Sequence, residues 1–306
     1  MVHAGGAEAE SLVRALPPTT AYTSPPPQHL PDAVFLDAPA DIRLEPIPAC
    51  PMRHPWTWQI LPDGLIYKSY LAGGRESRFA SHWAGMDNGD SFWDITLGGR
   101  VGILRYGTDN PRWPSGWQLD IEGAAFPRLT LDSMRDLVSV DFRFGVPLTY
   151  RHGPWETKFA YYHLSSHLGD EYMLTRVGWQ RLNYARDALV LGVGWRPHAD
   201  WRFYGETGFA FYAAGGAEPW EFQFGAEFSP ARPTSIRGAP FFAVNARLRE
   251  EVDFSGGLTL QTGWQWRGAS GDLLRLGFHY FNGKSDQFQF HRRHEQQYAV
   301  GLWYDY

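Results

Sequence analysis

The stretch Phe159-Ala160-Tyr161-Tyr162-His163-Leu164-Ser165-Ser166-His167-Leu168-Gly169-Asp170-Glu171 sets two histidines and a serine at alternate positions. In an extended strand residues i, i+2 and i+4 share a face, so His163, Ser165 and His167 stand in line. Two chemistries use such a row. A serine hydroxyl is a weak nucleophile until a neighbouring base takes its proton, and an imidazole two residues away is a base of the right kind. The other is metal binding, in which His163 and His167 join Asp170 or Glu171 on a divalent cation, without a third ligand at a fixed spacing. A third reading needs no chemistry: the three are polar rim residues that face lipid headgroups or bond a neighbouring loop. Beyond that cation, no cofactor is expected.

The element that positions the row is a strand, and the same alternation runs through most of the chain. From 136 to 150, Val138, Val140, Phe142, Phe144, Val146, Leu148 and Tyr150 occupy one parity, while Ser139, Asp141, Arg143, Gly145 and Thr149 occupy the other. This outlasts an average globular strand of about five or six residues and suits a tilted membrane strand of about nine to eleven. The pattern recurs at 77–85, 93–106, 117–126, 155–167, 183–196, 201–212, 220–228, 241–249, 258–267, 273–280 and 296–306. That makes about twelve strands, an even number, as single-chain bacterial barrels have.

The last strand is the most telling. Tyr298, Val300, Leu302, Tyr304 and the terminal Tyr306 share one face. Such a strand needs a neighbour on both edges, which closure of the sheet supplies. The expected fold is therefore all-β, a closed antiparallel transmembrane β-barrel. Phe142, Phe144, Phe209, Leu260 and Leu302 should face outward, and Asp141, Arg143, Glu206 and Arg275 inward. The alternative is a water-soluble sandwich or lipocalin-like barrel, with the aromatics inside and the charges outside.

Composition agrees. The 306 residues include 14 Trp, 15 Tyr and 20 Phe, a load that two aromatic girdles would absorb. No run of 18 apolar residues exists, so a membrane helix is excluded while membrane strands are not. A net charge of −5 implies no general attraction to nucleic acid. Cys50 is the only cysteine, which rules out an intramolecular disulfide or a cysteine-based zinc site.

Residues 1–62 hold more than half of the 22 prolines and read as a mostly disordered, Pro-rich periplasmic leader; 63–306 read as the barrel. Asp87-Asn88-Gly89-Asp90 reads as a turn, with calcium binding as the alternative. His291-Arg292-Arg293-His294 reads as a solvated extracellular loop that could also meet lipopolysaccharide phosphates.

The terminal aromatic strand resembles the assembly signal of bacterial outer-membrane barrels. The His-x-Ser row resembles that of outer-membrane phospholipase A and of the lipid A deacylase, which cleave acyl esters at the outer barrel wall. That likeness makes Ser165 the nucleophile, His163 its general base, and Asn183 on the next strand the group that orients the His. The phospholipase has Asn before its His and Asn-Gly after its Ser, where this chain has Tyr162 and Ser166-His167. The longer string from Tyr162 to Tyr172, with Leu71-Ala72-Gly73-Gly74-Arg75-Glu76, resembles a bacterial family catalogued as domain of unknown function 1207, grouped with outer-membrane barrels, over roughly residues 60–306. These resemblances imply an outer-membrane location, with membrane lipids and, through the strand ending at Tyr306, the barrel assembly machinery as partners. Three roles follow: a structural or surface-interaction barrel, a lipid acyl hydrolase, and a narrow solute pore.

Overall fold

The computed structural model describes residue 46 and residues 55–131, 135–175 and 180–306. A short strand, β1 (Thr57–Ile60), precedes twelve longer ones: β2 (Phe79–Met86), β3 (Ser91–Gly107), β4 (Gly116–Thr130), β5 (Leu137–His152), β6 (Trp155–Leu168), β7 (Ala185–Trp195), β8 (Trp201–Ala214), β9 (Trp220–Phe228), β10 (Ala239–Arg249), β11 (Gly257–Arg267), β12 (Leu273–Lys284) and β13 (His294–Asp305). Each of the twelve pairs antiparallel with the next. The ring then closes between β13 and β2, from Gln297 opposite Met86 to Tyr304 opposite Phe79. Closure leaves the wall without a free edge, the condition for a sheet in hydrocarbon.

Alternation decides which face meets lipid. Phe142, Phe144, Phe209 and Leu302 are exposed on the outside and Leu260 is half-exposed, whereas Asp141 and Arg275 are fully buried within. The soluble alternative is thereby excluded, since it requires the opposite faces. β3 outreaches β2, and β1 pairs with its overhang, Thr57 opposite Gly107 and Ile60 opposite Leu104.

β1 lies within the stretch read as leader. Residues 1–45 and 47–54 of that stretch, Cys50 among them, fall outside the described residues. Past β1 the chain turns inward. Residues 65–78 do not belong to the wall; they thread the lumen and return to it as β2. Tyr70 stacks on Tyr204 of β8, ring centroids 3.8 Å apart, and its hydroxyl donates to Glu206 at 2.8 Å. The Leu71 amide donates to Glu227 of β9 at 2.6 Å. Arg75 pairs with Asp141 of β5 and Arg78 with Asp305 of β13, both at 2.9 Å. β7 makes room with a glycine: a Cβ on Gly192 would come 2.9 Å from the Tyr67 hydroxyl.

A second segment fills the other end. Between β12 and β13, residues 285–293 fold into the barrel around a single 3-10 turn, Phe288–Phe290. Phe288 is fully buried against Tyr184, with centroids 4.7 Å apart, and its amide donates to Asp141. Gln289 donates to the Ser166 and Leu182 carbonyls. His291 is buried and its Nδ1 lies 2.9 Å from the Phe288 carbonyl, so this end of the predicted solvated cluster is part of the interior. Arg292, Arg293 and His294 are exposed.

The remaining inward charges are largely paired along the inner wall, between neighbouring or next-but-one strands. Arg100 meets Asp120 (2.5 Å), Arg128 meets Asp94 (2.7 Å), Lys158 meets Glu206 (2.5 Å) and Arg247 meets Glu221 (2.7 Å). Buried charges persist only with such partners. Asp87 to Asp90 form the expected turn: Asn88 accepts from the Asp90 amide, and Gly89 takes φ +90°.

Candidate functional site

β6 carries the row. Tyr161, His163, Ser165 and His167 alternate with the buried Tyr162, Leu164 and Ser166, so the row faces outward. Opposite His163 on β7 stands Asp187, and its Oδ1 lies 2.9 Å from His163 Nδ1. The same carboxylate oxygen accepts the Tyr161 hydroxyl at 2.7 Å. With Nδ1 so engaged, Nε2 remains open on a half-exposed ring (42% exposed). Ser165 sits one pleat further along, between Phe142 on β5 and Ala185 on β7, and its hydroxyl makes no hydrogen bond to a described residue. Period two puts the His163 and Ser165 backbones about 6–7 Å apart, a gap that an imidazole can bridge.

The local fold stiffens this patch. Beside Asp187 the β7–β8 ladder slips, pairing Asp187 with Tyr212 and Ala188 with Ala210, so Phe211 is an extra residue. The bulge puts both Phe211 and Tyr212 on the outside, and Phe211 stacks against Tyr161 at 6.3 Å. Two aromatic rings thus flank the His–Asp pair.

The other predicted residues separate. Asn183 is exposed and lies four residues before Asp187, about 13 Å along a strand, so the place beside His163 belongs to Asp187. His163 and His167 are likewise about 13 Å apart by strand rise, too far for one ion with ligands near 2 Å. His167 contacts the Arg181 guanidinium through Nδ1 and the Phe142 ring edge. Asp170 and Glu171 open a short helix, α1 (Asp170–Thr175), that tucks Tyr172 against Val138, Leu168 and Phe290. Among the described residues, no group of three His, Cys, Asp or Glu is placed to hold a metal ion. The cation constellation is therefore not formed, because a strand spreads i and i+4 that a helix would gather.

Sequence reasoning missed Asp187. A signal existed: within Ala185-Arg186-Asp187-Ala188-Leu189-Val190-Leu191, Asp187 is the acidic residue on the parity of outward Leu189, Leu191 and Val193. A carboxylate on an otherwise apolar outer face calls for a partner.

Closed wall, lipid-facing aromatics and paired lumen together define an outer-membrane-type β-barrel. The chain belongs to the family described as protein of unknown function (DUF1207), whose model matches residues 47–306. Among curated proteins, none matches it in sequence. Of solved structures, the Salmonella typhi outer membrane phospholipase (OMPLA) dimer with bound calcium is similar at 9% identity and TM-score 0.47, over 74% of this chain and 90% of that one. Outer membrane phospholipase A from Escherichia coli is similar at 9% identity and TM-score 0.47, over 75% and 96%. The KdgM porin is similar at 9% identity and TM-score 0.42, over 74% and 98%.

Proposed function

We propose that this protein is a plugged barrel of the bacterial outer membrane with a structural or surface-interaction role, one that works through its wall and rims and passes no solute through its lumen. The observation that carries this reading is the double filling of the lumen. Residues 65–78 enter it from the end that holds the C-terminus, and residues 285–293 fold in from the other, both tied to the wall by hydrogen bonds and by ion pairs, the second through Asp286 and Arg247 at 3.7 Å. The C-terminal strand would engage the barrel assembly machinery, and the outer wall would contact membrane lipids. Reconstitution into planar bilayers tests this: the intact protein should insert without steady conductance. Ohmic single-channel steps from heat-modifiable protein would restore the pore reading.

A second reading, lipid acyl hydrolysis at the outer wall, is favoured by the His163–Asp187 pair beside Ser165. In that reaction the Ser165 hydroxyl oxygen bonds the ester carbonyl carbon while His163 Nε2 takes its proton. Asp187 holds the Nδ1–H and stabilises the imidazolium. The tetrahedral intermediate collapses, the alcohol leaves with the proton from His163, and water, activated by the same base, releases the acid from Ser165. Purified protein in detergent, given short-chain ester and phospholipid substrates, should then show cleavage that Ser165→Ala abolishes and Asp187→Ala cuts by about 10²-fold or more. Equal cleavage by Ser165→Ala would end the hydrolase reading.

A further inference from the structure

At the barrel end that holds the C-terminus, a cavity of about 50 Å³ is lined by six cationic side chains: Lys68, Arg112, Arg151, Arg196, Arg202 and Arg267. They converge from separate places. Lys68 comes from the lumen segment, Arg112 from the turn after β3, Arg196 from the turn after β7, and the others from β5, β8 and β11. Such convergence of like charge is costly unless something balances it.

The acids nearby do so only in part: Asp272 acts on Lys68 and Asp200 on Arg267 through space without an ion pair to either, and the others are shared. Glu156 holds Arg151, Arg196 (3.2 Å) and Arg202 (2.5 Å), so one carboxylate serves three guanidiniums. Asp305 on the cavity wall is shared by Arg78 (2.9 Å) and Arg275 (2.8 Å). Glu227 accepts the Leu71 amide and lies 3.7 Å from Arg202. Arg267 donates only to neutral oxygens, those of Pro230 (2.8 Å), Gly271 (3.1 Å) and Ser229 (2.7 Å). Lys68 spends one bond on the Gly271 carbonyl at 3.2 Å, and Arg112 is exposed with no carboxylate partner among the described residues. Arg202, fully buried, leaves its Nη2 without a hydrogen-bond partner.

We propose that this cavity binds a compact oxyanion of the phosphate class, either free or as the phosphomonoester end of a lipid headgroup. Size agrees: about 50 Å³ exceeds what a single enclosed water needs and leaves room for a compact ion. Chemistry agrees as well, because planar guanidiniums with spare N–H groups match phosphate oxygens bidentately, and Lys68 supplies a point charge. Trp113 braces the site, with Arg151 and Arg196 over its ring at 4.6 and 5.4 Å. Burial, then the guanidiniums of Arg267, Arg196 and Arg151, push the Lys68 ammonium well below the usual lysine range, a strain that an anion in the cavity would relieve.

The test uses the full chain folded in detergent micelles, titrated calorimetrically with inorganic phosphate at constant ionic strength set by chloride. Saturable binding is expected at one site per chain, accompanied by a rise in unfolding temperature. Lys68→Met and Arg267→Gln should each weaken it at least about tenfold, as loss of a charge-assisted bond does. Arg112→Gln, an exposed change that leaves the fold intact, should weaken it several-fold, and Arg292→Gln at the opposite rim should not change it. Tighter binding of inorganic phosphate than of glycerol 3-phosphate or dihexanoylphosphatidic acid assigns the site to the free ion; the reverse order assigns it to a headgroup. No saturable heat up to 10 mM (about a thousandfold above a tight site) with any of the three probes, or binding that survives both Lys68→Met and Arg112→Gln, overturns the proposal.

Discussion

Asp141 is the residue on which the two lumen segments meet. Its carboxylate takes the Arg75 guanidinium from one and the Phe288 amide from the other, at a position without solvent exposure. Removing one partner of a buried ion pair leaves the other charge uncompensated, which costs about 3–5 kcal/mol. Asp141→Ala should therefore lower stability by about that amount in urea unfolding from phospholipid vesicles. Asp141→Ala combined with Arg75→Met should recover a large part of the loss, because the stranded charge goes too. If the double variant is no more stable than the single, the pair is not the coupling. The outer-wall His163–Asp187 pair differs, since both side chains are partly exposed; Asp187→Asn should leave stability within about 0.5 kcal/mol.

Among the elements, the segment 285–293 should respond to pH. Burial first of all holds the His291 imidazole below its ordinary value; Arg249 and Arg292 act in the same direction, and the Phe288 carbonyl and Glu251 oppose them. Its Nε2 is buried without a partner. A base whose folded value is depressed contributes its full stability above the unfolded value, near 6.5, and loses it as pH falls below that. Amide exchange in 286–292, corrected for its intrinsic pH dependence, should therefore speed up between about pH 7 and 5, and His291→Gln should flatten that response. Unchanged protection across the range would contradict it. β13 carries a separate expectation. Tyr306 packs by Tyr304 (5.3 Å) and Phe79 (6.1 Å) and donates to the Gly98 carbonyl across the seam. Tyr306→Asp should reduce the heat-modifiable fraction in membranes while synthesis continues, and wild-type levels of folded protein would count against the terminal strand as the assembly element.

For the whole molecule, the barrel's capacity to conduct is set by what fills it. A twelve-strand wall encloses a lumen that side chains alone fill only in part, and here two chain segments complete the packing. Replacing residues 66–76 by a short Gly-Ser bridge should raise conductance in planar bilayers measurably above that of the intact protein, with fluctuating steps. Silence from that variant, once it is shown to be folded by heat-modifiability, would mean that residues 285–293 and the paired wall charges suffice as the seal.

The wall was legible in the sequence because its signal is local. A side chain in a strand faces lipid or lumen by parity alone, so Val140, Phe142 and Phe144 against Asp141 and Arg143 declare both the strand and its faces. Each of the twelve wall strands overlaps its predicted segment for that reason, and the outward row His163, Ser165 and His167 followed from the same rule. The partners of those residues did not. Asp187 reaches His163 through the β6–β7 register, which no period within one strand encodes. The lumen segments were hidden likewise: residues 65–78 carry no alternation, and their order comes from Tyr204, Glu206, Glu227, Asp141 and Asp305 on distant strands. Periodicity reports the solvent on either side of one strand, whereas contacts across a closed barrel exist only once the ring has closed.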